Sequence, residues 1–224
     1  QNMGLLKEAE EQGLRSVELL RASKGGEDLQ YAHSLNNLGA LYISIGTLEK
    51  ARQMLEEAKA IYRKELGENS YDFANAQLNI ANSHLLQEEY NKAIEGYEQV
   101  RQIVKQTAGE KIYYYSTVVL NLGACYASAG NWAKAEEYLL QAKSLRQELA
   151  PESPGYAYVL IQLANLYRVQ ERYEEALPLF VEARDLHRKK FGLQNWEYSK
   201  VLQLMGLLHW GDHRPDSAQH YFLR

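Results

Sequence analysis

The chain has 224 residues, 46% hydrophobic and 24% charged, with 25 Lys+Arg against 29 Asp+Glu for a net charge of −4. No apolar run approaches the roughly 18 to 20 residues of a membrane-crossing helix, and the mildly acidic balance argues against a dedicated nucleic-acid or anionic-membrane binder. The single cysteine, Cys125, excludes an internal disulfide framework and a multi-cysteine zinc site, while 4 prolines among abundant Ala, Leu, Glu and Gln point to an all-α fold.

Residues 5–24 read as one helix, and five related units follow it. Residues 31–70 place Leu38-Gly39 and Tyr42 on a first helix, a turn at Gly46, and Ala51 and Leu55 on a second helix. Residues 71–112 repeat this with Ile80-Ala81, His84, a turn at Gln87-Glu88, Ala93 and Tyr97. Residues 113–153 carry Leu122-Gly123, Tyr126, a turn ending at Gly130-Asn131, Ala135 and Leu139. Residues 154–195 carry Leu163-Ala164, Tyr167, a turn at Gln170-Glu171, Ala176 and Phe180, then the loop Gly192-Leu193-Gln194-Asn195. Residues 196–224 carry Met205-Gly206, His209, a turn at Gly211-Asp212, Ala218 and Phe222.

The small residues stand 42, 42, 41 and 42 apart, and an alanine follows each after 12 residues. Within a unit the spacing is helical: Val119, Leu122, Gly123 and Tyr126 share one face. The small residue and the alanine allow two backbones to approach closely, so each unit is an antiparallel helix pair. Pro215 replaces Leu48, Tyr90, Trp132 or Tyr173, and we expect the last second helix to start differently. Most of the 17 tyrosines follow the period and read as packing, which leaves Tyr158 as a surface candidate. Because Ala9 lies 42 residues before Ala51, residues 5–24 read as the second helix of a partial repeat. With no initiator methionine and Tyr221-Phe222-Leu223 uncapped, we expect a fragment of a longer protein, with self-association through the uncapped C-terminal end.

Strings such as Tyr31-Ala32-His33-Ser34-Leu35-Asn36-Asn37-Leu38-Gly39-Ala40-Leu41-Tyr42 and Arg172-Tyr173-Glu174-Glu175-Ala176-Leu177-Pro178-Leu179-Phe180 resemble the tetratricopeptide repeat (TPR). They are similar to its 42-residue kinesin-light-chain-like variety, also found in bacterial TPR/CHAT proteins, and the resemblance spans essentially the whole chain. It implies a right-handed superhelix, an α-solenoid whose first helices line a concave groove. It also implies a non-catalytic scaffold that binds a protein or an extended peptide segment there. Two other roles accompany the resemblance: the regulatory region of a caspase-like CHAT protease, and a receptor for a short signalling peptide.

On that geometry, the residue two before each small residue points into the groove: Asn37, Asn79, Asn121 and Gln162. Asn82 and Asn165 lie on the same side, and Tyr158, Arg168 and Lys200 are groove-facing neighbours. A carboxamide both accepts and donates hydrogen bonds, so it can hold a peptide backbone without reading its side chains. Helices about 8–10 Å apart would meet about every third residue of an extended chain. A carboxamide at this register could equally bond a neighbouring helix, or persist from duplication of one repeat; peptide contact is the expectation carried forward. Residues 1–112 hold 13 basic and 17 acidic side chains and residues 113–224 hold 12 of each, so Arg168 and Lys200 are expected to orient an acidic segment.

Other chemistry is weak. His209, Asp212 and His213 have some metal-ligand character, but His209 takes the ring position that Tyr42 fills elsewhere. Cys125 reads as a small core residue, and Arg184, Arg188, Lys189 and Lys190 complement a helix C-terminus. No phosphate loop or hydrolase motif occurs. We expect no metal, no cofactor, no nucleic-acid or membrane partner, and a cytoplasmic location.

Overall fold

A computed structural model describes residues 2–193 and 195–222. Gln194 of the predicted loop, Leu223, Arg224 and the Phe222 side chain lie outside the described residues, and with them most of the uncapped end. The described chain is all-α: α1 (Asn2–Lys24), α2 (Leu29–Ser44), α3 (Leu48–Leu66), α4 (Tyr71–Leu86), α5 (Tyr90–Ala108), α6 (Tyr113–Ser128), α7 (Trp132–Leu149), α8 (Pro154–Val169), α9 (Tyr173–Phe191), α10 (Trp196–Gly211) and α11 (Pro215–Phe222). None of the described helices is long and apolar enough to cross a membrane.

The helix ends repeat as faithfully as the core. First helices α2, α4, α8 and α10 begin behind Asp28, Ser70, Ser153 and Asn195, whose side-chain oxygens accept hydrogen bonds from backbone N–H groups of Tyr31, Phe73, Tyr156 and Glu197. Each cap satisfies a donor that the helix itself cannot. Ile112 holds this register at α6 and has no side chain that can cap. The hairpin turns put one residue in the left-handed region at Gly46, Glu88, Gly130, Glu171 and His213. In the last pair the turn therefore centres two residues beyond the expected Gly211, which stays helical. The expectation for Pro215 is also corrected. It is the first residue of α11, as Leu48, Tyr90, Trp132 and Tyr173 are of their helices, and a first helical position suits proline because its missing N–H would have no partner there.

The chain divides into two compact units, Gln1–Glu110 and Lys111–Arg224. In the first, α1 to α5 stack in order; in the second, α6 to α11 do. Successive first helices approach one another within each unit, α2 with α4, α6 with α8 and α8 with α10, more closely than the second helices α3 and α5, or α7 and α9, do. The first helices thus line the inner side of each stack. Gly39 and Gly123 permit close crossings within their helix pairs: a Cβ on Gly39 would stand 2.7 Å from Leu55 Cγ, and one on Gly123 2.8 Å from Leu139 Cγ.

Tyrosine hydroxyls tie the layers at repeating positions. Tyr31 donates to Glu57 and Tyr156 to Glu182, at 2.9 and 3.0 Å, while Tyr42 reaches back to Glu10 and Tyr167 to Glu136, at 3.0 and 2.9 Å. Their rings are buried, so the periodic tyrosines are packing residues with a satisfied polar end. At the open end of three helix pairs lies an exposed ion pair: Glu27–Lys64, Lys111–Glu148 and Glu152–Lys189, at 2.9, 2.6 and 2.6 Å. The middle one has its polarity reversed. The α4–α5 pair carries neutral Asn69 and Gln106 at that register.

Candidate functional site

The predicted site residues all lie on first helices, where they take different roles. In the first unit Asn37 is exposed, next to a Ser16–Ser34 hydroxyl pair at 3.0 Å. Asn79 is half-buried, and its amide donates to Asn36 Oδ1 at 3.3 Å; Asn36 lies on α2 and is 7% exposed. Asn82 accepts the Tyr97 hydroxyl at 2.7 Å. Two of these carboxamides therefore take part in tying helices together.

In the second unit Asn121 and Gln162 are half-buried, and Asn165 Oδ1 accepts from Arg168 Nε at 3.3 Å. Tyr158 is 48% exposed, and the exposed Lys200 holds its ammonium 5.7 Å from the Trp196 ring centroid. Tyr71 and Tyr113 are comparably exposed, so Tyr158 is not alone among tyrosines at the surface.

Tyr158 and Lys200 share a cavity between α8 and α10. Pro154, Ile161, Trp196 and Glu197 complete its walls, and His187 of α9 reaches it from below. His187 is 3% exposed. Its Nδ1 has no hydrogen-bond partner; Glu197 Oε2 lies 3.3 Å away, outside hydrogen-bonding geometry. Burial lowers the proton affinity of this imidazole, and the Glu197 charge opposes that only in part. Sequence reasoning passed over His187 and Trp196. The available signal was the residue eleven after each second-helix alanine, which runs Tyr62, Val104, Arg146, His187 and changes chemistry at every step.

The remaining candidates fall into packing roles. Cys125 is fully buried and burial pushes its thiol up to about 11, which removes the thiolate that nucleophilic chemistry requires. His209 is 7% exposed and stacks on Tyr221 with ring centroids 5.2 Å apart. Lys189 of the basic helix end is paired with Glu152. Among the described residues no group of His, Cys, Asp and Glu is arranged to hold a metal ion.

Known structures share this architecture. The crystal structure of BtubC (BKLC) from P. vanneervenii is 20% identical, covers 98% of this chain and 89% of its own, and superposes with a TM-score of 0.82. A putative kinesin light chain of Podosopora anserina with nearly identical TPR-like repeats is 23% identical over 85% of this chain and 91% of its own, with a TM-score of 0.69. A Rap protein complexed with competence and sporulation factor is 15% identical over 100% of this chain and 70% of its own, also at 0.69. At these identities the likeness is one of fold. No curated protein matches the chain. The sequence profile of the tetratricopeptide repeat matches residues 1–64, 72–148, 113–189 and 155–224. Helix pairs, repeat register and profile agree, and the chain belongs to the tetratricopeptide-repeat family.

Proposed function

We propose that the chain is a non-catalytic module that binds an extended segment of a protein or peptide along its first-helix faces. The observation carrying this reading is the inner face of the second unit, where Tyr158 and Lys200 stay exposed beside half-buried Gln162, Asn165 and Arg168. Rings and long cations that packing does not need, placed among carboxamides on touching helices, offer contact area together with backbone hydrogen-bonding groups. In the first unit Asn37 is the rung we assign to a ligand, whereas Asn79 and Asn82 also fix helix geometry. A short peptide is within the scope of this surface; the Rap neighbour was crystallised with competence and sporulation factor bound.

The test is selection of a random-peptide display library on the intact chain and on a Gln162→Ala/Asn165→Ala variant of equal helicity. We expect the wild-type chain to enrich extended sequences that the variant does not retain. Equal enrichment on both would overturn the carboxamide reading.

A further inference from the structure

The junction between successive first helices has the same construction wherever it can be compared within a unit, and one of the three is unfilled. Between α2 and α4 the residue eleven after the second-helix alanine is Tyr62, 1% exposed, with its hydroxyl 2.9 Å from His33 Nδ1. Between α6 and α8 it is Arg146, 2% exposed, with its guanidinium 3.5 Å from the Tyr113 ring centroid and hydrogen bonds to the Ser116 and Thr117 hydroxyls. Each junction is thus closed by a long side chain ending in a planar group. Between α8 and α10 the residue is His187, whose ring is too short to do this, and a cavity of about 90 Å³ remains. That is several times the room that one water needs. Its walls are mainly apolar, with the rings of Tyr158 and Trp196 and the side chain of Ile161.

We infer that this cavity receives the phenol of a tyrosine on an extended partner segment. The inference rests on the peptide-binding reading and names the side chain that the face selects. The Tyr62–His33 pair shows the contact in this same fold: a phenol closing a junction with its hydroxyl on an imidazole nitrogen. At the α8–α10 junction His187 stands at the register of Tyr62 and Tyr158 at that of His33, and the Tyr158 hydroxyl does not bond the His187 Nδ1, which leaves that nitrogen open to a second phenol. Buried polar atoms are nearly always hydrogen-bonded, and the unpartnered Nδ1 of His187 marks an imidazole with bonding capacity unused. A tyrosine brings the ring for the aromatic walls and the hydroxyl for the floor; a phenylalanine brings only the ring.

The probes are the blocked peptides Ala-Ala-Tyr-Ala-Ala, Ala-Ala-Phe-Ala-Ala and Ala-Ala-Trp-Ala-Ala, titrated into the isotopically labelled chain. The readout is the NMR shift of the Trp196 indole and the His187 imidazole. We expect saturable shifts with the tyrosine peptide, and about tenfold weaker binding of the phenylalanine peptide, since one hydrogen bond to a buried group is worth about that much. His187→Tyr, which plugs the junction as Tyr62 does, should abolish the shift of the Trp196 indole. Equal binding of all three peptides, tighter binding of the tryptophan peptide, or an unchanged response in His187→Tyr would overturn the assignment. The peptide comparison needs no variant to fold. Tyrosine-selective shifts that survive in Gln162→Ala/Asn165→Ala would retain the pocket while refuting the carboxamide rungs. Library enrichment without tyrosine selectivity would do the reverse.

Discussion

Replacing Gly39 by alanine sets two effects of similar size against each other. Alanine in place of glycine inside a helix gains about 0.5–1 kcal/mol of backbone entropy and propensity. Against this, the new Cβ would stand 2.7 and 2.9 Å from Leu55 Cγ and Cδ2 and 3.2 Å from the Ala51 carbonyl oxygen. Leu55 is fully buried, so it cannot swing aside into solvent, and α2 and α3 must part by several tenths of an ångström. Overpacking of this kind costs about 1–3 kcal/mol, which leaves Gly39→Ala destabilised by about 1 kcal/mol. The repeats suggest the remedy. Gly39 and Gly123 face leucines, Leu55 and Leu139, whereas Ala81 and Ala164 have flat rings, Tyr97 and Phe180, at the matching register. Leu55→Phe in the Gly39→Ala background should restore most of the loss, with a coupling of about 1 kcal/mol in a double-mutant cycle. Urea and thermal unfolding of the four proteins, followed by circular dichroism, measure both terms. An expected Tm loss of about 2–4 °C accompanies each kcal/mol at this size. A Gly39→Ala protein more stable than the parent, or strictly additive mutations, would refute the steric argument.

Two further outcomes follow from the backbone and from buried charge. Glu171 is exposed and holds a φ of 61°, at a position where Gly46 and Gly130 occupy other repeats. Relief of about 1–2 kcal/mol of left-handed strain exceeds the roughly 0.4–1 kcal/mol entropic cost of glycine, so Glu171→Gly should raise the Tm slightly and Gly130→Ala should lower it. A fall in Tm for Glu171→Gly contradicts this. His187 and His209 are both buried and both have lowered proton affinity, chiefly through burial, with Glu197 acting against it at the first and Arg214 reinforcing and Asp212 opposing it at the second. Their folded pKa values lie below the unfolded 6.5, so their neutral burial supports the fold above that pH, and this contribution is lost as the pH falls through the folded values. Melting temperatures measured on either side of that point should fall with acid, and less so in His209→Phe; a Tm independent of pH would exclude neutral burial.

The fold was legible because its determinants are local and periodic. Gly39, Ala51 and Tyr42 each recur at one register, and a helix pair needs little more than those three to be recognised. The turn at His213 and the regular start at Pro215 were harder to see. Non-glycine residues in the left-handed region carry no compositional mark, and proline is a breaker or a starter according to a shift of one turn. The site was legible only in part. Register says which side of a helix Asn79 occupies, but its bond to Asn36 depends on the lateral offset of α2 against α4. His187 was missed for a related reason: what matters there is the length of one side chain relative to its counterparts at Tyr62 and Arg146, and no motif records a shortfall.

A chain assembled from near-copies faces an ambiguity that irregular folds do not. Any first helix could dock on the second helix of another copy, within one molecule or between two. The ion pairs at the open hairpin ends bear on this choice. α6 approached by Lys111 accepts the Glu148 end of α7, but on α3 or α9 it would meet Lys64 or Lys189, and α2 or α8 placed on α7 would set Glu27 or Glu152 against Glu148. Exposed pairs of this kind add little to stability. Their reversed polarity instead sets like charges against each other in every one of those mispairings of the third repeat.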